Sequence, residues 1–169
     1  ERNCGIVTDR VREALAELSI AHAALVIADS RTRIAEFRDV IVKPNRHEAA
    51  AAVGLTDQTE TEAEIDAIGE IGSTLARRNH RTVFVTLGSE GILACTEETA
   101  VHVPALPVRG KIDIVGAGDS VVAGIACALA AGASPLEAAE LGNLCASVTI
   151  HKLGTTGTAS PEEILALLN

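Results

Sequence analysis

Aromatic residues are nearly missing from this 169-residue chain. It has no Trp and no Tyr, and Phe37 and Phe84 are its two phenylalanines. Methionine is absent as well. Bases stack on aromatic faces and sugars often pack against them, so the chain offers little of either platform. Positive charge is also in short supply: 14 Lys and Arg stand against 23 Asp and Glu, a formal net charge of −9 at pH 7. An acidic, ring-poor chain lacks the cationic footprint of a nucleic-acid binder, so nucleic acid is not an expected partner. No apolar run reaches the ~18 residues of a membrane span, so no membrane partner is expected. No basic, hydrophobic leader opens the chain, and a cytoplasmic location is the expectation. Cys4, Cys95, Cys127 and Cys145 form no CxxC pair and no finger-like set with histidine, which leaves zinc unsupported. Their spacing does not suggest a disulfide framework. Free thiols are expected, with Cys127 and Cys145 on helix stripes in the core.

What is abundant is small and apolar. Hydrophobic residues make up 47% of the chain, with 29 alanines and 14 glycines, enough for a packed core at the size of one domain. Short apolar runs alternate with amphipathic stretches, the pattern of an α/β layered fold. Helices are expected over 8–18, with Val11, Leu15 and Leu18 on one face, and over 45–53, 60–78 and 117–131. Ser134 and Ser160 open two more, each followed by Pro and by Glu three residues on, which is a capping box. Strands are expected over 24–28, 40–42, 82–87, 91–95 and 100–103, with a turn at 97–99.

The segment from Asp113 to Ser120 reads Asp-Ile-Val-Gly-Ala-Gly-Asp-Ser. Small residues let backbone N–H groups converge on an anion, and a helix N-terminus adds partial positive charge there. An Asp beside such a nest is the equipment of phosphoryl transfer. From the residues alone, Asp119 reads equally as a helix cap and Gly116 and Gly118 as a tight turn. GxxxxGK[ST] is absent, and Val121 breaks GxGxxG, so neither a P-loop nor a dinucleotide fingerprint is present. The five histidines are scattered and compose no metal or triad set.

The stretch DIVGAGDSVVAG resembles the second signature of the PfkB/ribokinase family of sugar kinases. Three further segments follow the family's order: Pro44-Asn45-Arg46-His47-Glu48 resembles PNxxE, 85–91 (VTLGSEG) resembles the nucleotide loop, and 151–158 (HKLGTTGT) with SPEE resembles the C-terminal loop and last helix. The KLGT…SPEE ending is most similar to the heptose-7-phosphate kinase branch. The HxGH motif of a cytidylyltransferase half is absent.

The resemblance implies a ribokinase-like three-layer α/β fold with a mainly parallel sheet between helices, its N-terminal part missing. The whole chain, 1–169, would be the C-terminal nucleotide-binding and catalytic part of the kinase domain. It implies ATP and Mg²⁺, and a sugar or sugar-phosphate acceptor. Asp119 matches the base, and Gly116, Ala117 and Gly118 the anion hole. Asn45, Thr86, Gly88, Ser89 and Gly91 match positions around the nucleotide, and Asn143 a position beside the adenine. Glu48 matches the residue that orders Mg²⁺, although N-x-x-E is equally a capping box. Asp113, Val115, Thr149, Lys152, Gly154 and Thr158 match a monovalent-cation site for K⁺. Lys43, Arg46, Lys111 and Lys152 flank the motifs and would reduce repulsion of a polyanion, or be ordinary surface charges.

Family members run to roughly twice this length and carry an N-terminal Gly-Gly signature, most of the sugar pocket and a β lid, none of which is read here. The expectation is weak Mg·ATP binding, poor turnover by the chain alone, and self-association or a partner at an exposed sheet edge. A non-catalytic nucleotide-binding remnant, or a kinase of a nucleoside or fructose phosphate, are the other readings.

Overall fold

The computed structural model describes residues 5–55 and 64–168. Cys4 and the start of the helix expected over 60–78 lie outside them. A five-stranded sheet runs in the order β1 (Ile27–Ala28), β2 (Ile41–Val42), β3 (Val83–Thr86), β4 (Ile92–Cys95), β5 (Ala100–Val103). The first three strands are parallel to one another, and β3–β4–β5 is an antiparallel meander. Its last turn is closed by Thr96, whose N–H donates to the Thr99 carbonyl at 2.7 Å and whose hydroxyl accepts the Thr99 N–H at 3.0 Å.

Helices cover both faces of the sheet, giving the three-layer α/β arrangement. They are α1 (Asp9–Ala21), α2 (Arg46–Ala52), α3 (Ile65–Asn79), α4 (Ala117–Ala130), α5 (Pro135–Thr149) and α6 (Pro161–Ala166). Alternation along the strands sorts the core into two layers. Val83, Val85, Leu93 and Cys95 face a cluster with α2 and α3 that contains Phe37. Phe84, Ile92 and Ala94 face α4 and α5. Each phenylalanine thus anchors one layer.

Small residues set the spacing. A Cβ on Gly72 would lie 2.3 Å from the Cys95 sulfur, so α3 sits directly on β4. A Cβ on Gly124 would lie 3.1 Å from the Gly142 Cα and 2.9 Å from the Cys145 sulfur, so α4 and α5 cross at their glycines. Such close packing lets a chain poor in rings fill its interior.

Three local expectations are corrected. The strands expected over 24–28 and 40–42 shorten to two residues each, because regular pairing of β1 is limited to β2 on one side. Helix α1 is turned so that Arg12 and Ser19, not Val11 and Leu18, face inward. Arg12 is held there by Asp9, Glu36 and the Phe37 ring, 6.0 Å away. Cys127 is exposed; Cys145 and Cys95 are the buried thiols.

Candidate active site

The parallel strands end where α4 begins, and crevices at the carboxyl ends of such strands are the usual ligand site of open α/β sheets. The Thr86 N–H donates to the Pro44 carbonyl at 3.0 Å, and Asn45 bridges Thr86 in parallel register. Arg46 pairs with Glu90 across the same junction. The PNxxE helix and the VTLGxxG loop, 40 residues apart in sequence, are therefore one structural unit.

Asn45 caps α2. Its side chain accepts the Glu48 N–H at 2.8 Å, and Glu48 accepts the Asn45 N–H at 2.7 Å. The capping-box reading of Glu48 is thus realised, with one carboxylate oxygen engaged in it. Gly88 and Ser89 are exposed in a 3₁₀ turn (Gly88–Glu90), whereas Gly91 is buried. Gly91 has φ +105°, and a Cβ there would lie 2.1 Å from the Val103 carbonyl oxygen. Its glycine identity is required by packing. Asn143 is buried and donates its amide to the carbonyls of Val103 (3.0 Å) and Pro104 (3.2 Å). It shapes the wall formed by that segment and holds it to α5.

Gly116 is the N-cap of α4, with φ +83°. The Ala117 N–H is committed to the Ile114 carbonyl at 3.2 Å, and the Ser120 N–H to Gly116. The N–H groups of Gly118 and Asp119 meet no acceptor among the described residues. They are the orphan donors of a helix start; of the three residues matched to the anion hole, Gly116 and Gly118 have N–H groups without an acceptor among the described residues, and the Ala117 N–H is engaged. Asp119 is the third residue of the helix, not its cap. Its carboxylate is exposed and makes no hydrogen bond or ion pair among the described residues.

Two loops support this turn. Asp113 accepts the N–H groups of Val115 (3.1 Å) and Gly154 (3.0 Å), and these hold its carboxyl below the usual carboxylate range. The Ser120 hydroxyl meets Thr149 Oγ1 at 2.7 Å, and Thr149, fully buried, also donates to the Cys145 carbonyl. Three of the six residues matched to a K⁺ site, Asp113, Val115 and Gly154, are thus brought together, with both Asp113 carboxylate oxygens accepting N–H groups. The Lys152 ammonium bonds the Thr158 carbonyl at 2.5 Å and Glu163 at 2.7 Å. A positive charge thus stands on the Thr158 carbonyl, one of the positions matched to the K⁺ site.

Lys43 departs from the surface charge its sequence context suggests. It is buried, its ammonium lies 3.1 Å from Asp29, and a Cβ placed on Gly118 would be 3.9 Å from Nζ. For Mg²⁺ the donor chemistry is Glu48 with Asn45, hard oxygens but a single carboxylate. No group of three His, Cys, Asp or Glu is gathered among the described residues. Such a set suits an ion carried mainly by phosphates. Two surface clefts, of about 500 Å³ beside Arg12 and about 550 Å³ between α3 and β5, are lined by none of the motif residues.

A family model described as pfkB family carbohydrate kinase matches residues 9–163. Bifunctional protein HldE of Caulobacter sp. (strain K31) is 40% identical over 164 residues, covering 94% of this chain and 32% of that protein. A 1-phosphofructokinase of Haloferax volcanii is 38% identical over 122 residues, covering 72% of this chain and 37% of that protein. Among solved structures, Arabidopsis thaliana ribokinase complexed with ribose and ATP superposes with a TM-score of 0.82 at 22% identity, covering 96% of this chain and 53% of that one. Adenosine kinase from Sinorhizobium meliloti gives 0.75 at 27% identity, covering 99% and 51%. The chain spans about a third of the length of the curated relatives and about half of these structures.

Proposed function

Because this chain belongs to the pfkB family of carbohydrate kinases, we propose that it is the phosphate-handling part of an ATP-dependent kinase. In this reading it transfers the γ-phosphoryl group to a hydroxyl of a sugar or sugar phosphate of the heptose-phosphate kind. The observation that carries the reading is the pairing of an uncommitted Asp119 carboxylate with the orphan N–H groups of Gly118 and Asp119 on one helix turn. A base and an anion nest at one point are what in-line transfer to an alcohol requires.

Asp119 accepts the proton of the attacking hydroxyl, and the turn's N–H donors stabilise charge on the transferring group. Gly116 lets the turn form. Asn45, Thr86, Gly88 and Ser89 border the nucleotide, Gly91 and Asn143 fix its wall, and Glu48 is the one carboxylate of the PNxxE segment able to touch Mg²⁺. When bound, that ion would neutralise phosphate charge and orient the nucleotide. No role is assigned to K⁺.

No helix among the described residues is long and apolar enough to cross a membrane. The outer edge of β1 is unpaired among the described residues, and Val11, Leu18 and Ile20 of α1 are exposed. These surfaces support association there with a second copy or with the rest of a kinase domain.

Titration of the protein with Mg·ATP, alongside a sugar-phosphorylation assay, tests the reading. Binding with turnover supports a kinase. Binding without turnover identifies a nucleotide-binding remnant, and no binding removes both.

A further inference from the structure

The turn that opens α4 is tied to the end of α5 on both of its sides. Before it, the Asp113 N–H donates to the Ile150 carbonyl at 2.8 Å. After it, the Ser120 hydroxyl meets Thr149 Oγ1 at 2.7 Å. Thr149 is the last residue of α5, and Ile150 follows it directly. Two adjacent residues therefore hold both flanks of the segment that carries Gly118 and Asp119. The hydroxyl bond has one direction. Thr149 has a single hydroxyl proton, which goes to the Cys145 carbonyl at 2.9 Å. Its oxygen is then the acceptor toward Ser120, and the Ser120 hydroxyl is the donor. Thr149 is fully buried, and a buried hydroxyl is costly unless it is bonded. An apolar pair of the same shape fills such a space at little cost in stability, so packing alone gives little reason for two hydroxyls here.

The neighbouring carboxylate gives one. Asp119 is exposed and has no hydrogen bond or ion pair among the described residues. A catalytic base is commonly oriented by a third group. None touches this carboxylate, so the backbone of the turn sets its position. That backbone is fixed at the next residue. The Ser120 N–H donates to the Gly116 carbonyl at 3.0 Å, and its side chain is held by Thr149. Group transfer is sensitive to such placement: a displacement of about 1 Å can cost about 100-fold in rate.

We propose that Thr149 is a positioning residue for the transfer step, holding the Asp119 turn in place through Ser120. The inference rests on the kinase reading and adds to it the residues that place the base. Thr149 is buried and acts only through Ser120, whose proton is directed inward.

The test combines steady-state kinetics with calorimetric titration of Mg·ATP. The acceptors are heptose 7-phosphate, fructose 6-phosphate, ribose and adenosine, and the fastest of them is used for every variant. The variants are Thr149→Val, Thr149→Ser, Ser120→Ala and the double variant Thr149→Val with Ser120→Ala. Thr149→Val should lower kcat about tenfold or more, while the Mg·ATP dissociation constant changes less than about threefold. Thr149→Ser keeps the hydroxyl and should recover most of kcat. Ser120→Ala should act like Thr149→Val, and the double variant should fall no further than the lower single one. The double variant leaves no hydroxyl unpaired, so it should melt closer to the parent than Thr149→Val does, with kcat still low. A merely structural role would restore both together. If Thr149→Val fails to fold, Ser120→Ala and the double variant decide the outcome. The proposal is overturned if kcat is unchanged, if kcat and Mg·ATP binding fall equally, if Thr149→Ser recovers nothing, or if kcat returns with the melting temperature in the double variant. A parent protein that phosphorylates none of the four acceptors overturns the kinase reading itself, and this inference with it.

Discussion

Gly116 and Thr156 pack so closely that a Cβ added to the glycine would fall 2.6 Å from the threonine Cγ2. The glycine also holds φ +83°, a conformation that side-chain-bearing residues rarely adopt. Both constraints fall on the residue that caps α4, so the loop at 154–158 and the turn that opens α4 hold each other in place. Gly116→Ala should lower the melting temperature, at a cost of about 1–3 kcal/mol. It should also weaken Mg·ATP binding, because the orphan N–H groups would be displaced. Thr156→Ala should recover part of the lost stability by removing the methyl group. Thermal melts of the two single variants and the double variant check this.

Acid should loosen the same support. Asp113 is held below the usual carboxylate range by the Val115 and Gly154 N–H groups, and Glu163 by Lys152 and the Ser160 N–H. Each binds its proton less tightly in the folded chain than in the unfolded one. The stabilisation is therefore complete above the ordinary carboxylate pKa of about 4 and is lost as pH falls through the lower folded value. Melting temperature measured from pH 7 to 3 should drop in that range. Asp113→Asn should melt lower at pH 7 and lose less on acidification.

Lys152 leads to a prediction about salts. Its ammonium is bonded to the Thr158 carbonyl and to Glu163, on a position matched to the family's K⁺ site. A kinase containing this chain should change kcat/KM by less than about twofold when K⁺ is exchanged for Na⁺ at constant ionic strength. Strong activation by K⁺ would show that Lys152 leaves Thr158 during turnover.

The parts of the fold legible in the sequence are those set by neighbours along the chain. Asn45 with Glu48, Ser134 with Glu137 and Ser160 with Glu163 are all capping boxes, because a cap needs only a three-residue spacing. Within the run 82–87, Val83–Thr86 folds as β3 for the same local reason, its β-branched residues suiting a central strand. The face of α1 was not legible, because Arg12 is turned inward by Glu36 and Phe37, more than twenty residues away. Lys43 and Asn143 share this cause. The burial of one and the carbonyl partners of the other depend on elements distant in sequence, and no periodicity encodes them. In the site, the order of the motifs was legible, while the hydrogen bond from Ala117 to Ile114, which engages one N–H of the turn, appears only in three dimensions.

The central claim is that Asp119 removes the acceptor proton, and the most direct measurement is Asp119→Asn in this protein. The turnover number and the Mg·ATP dissociation constant should be measured on the same preparation. General-base loss predicts that kcat falls by about 10²–10⁴-fold, while the dissociation constant changes by less than about threefold. A variant that keeps near-normal turnover would contradict the account, because Asp119 would then be only an exposed residue in the first turn of a helix.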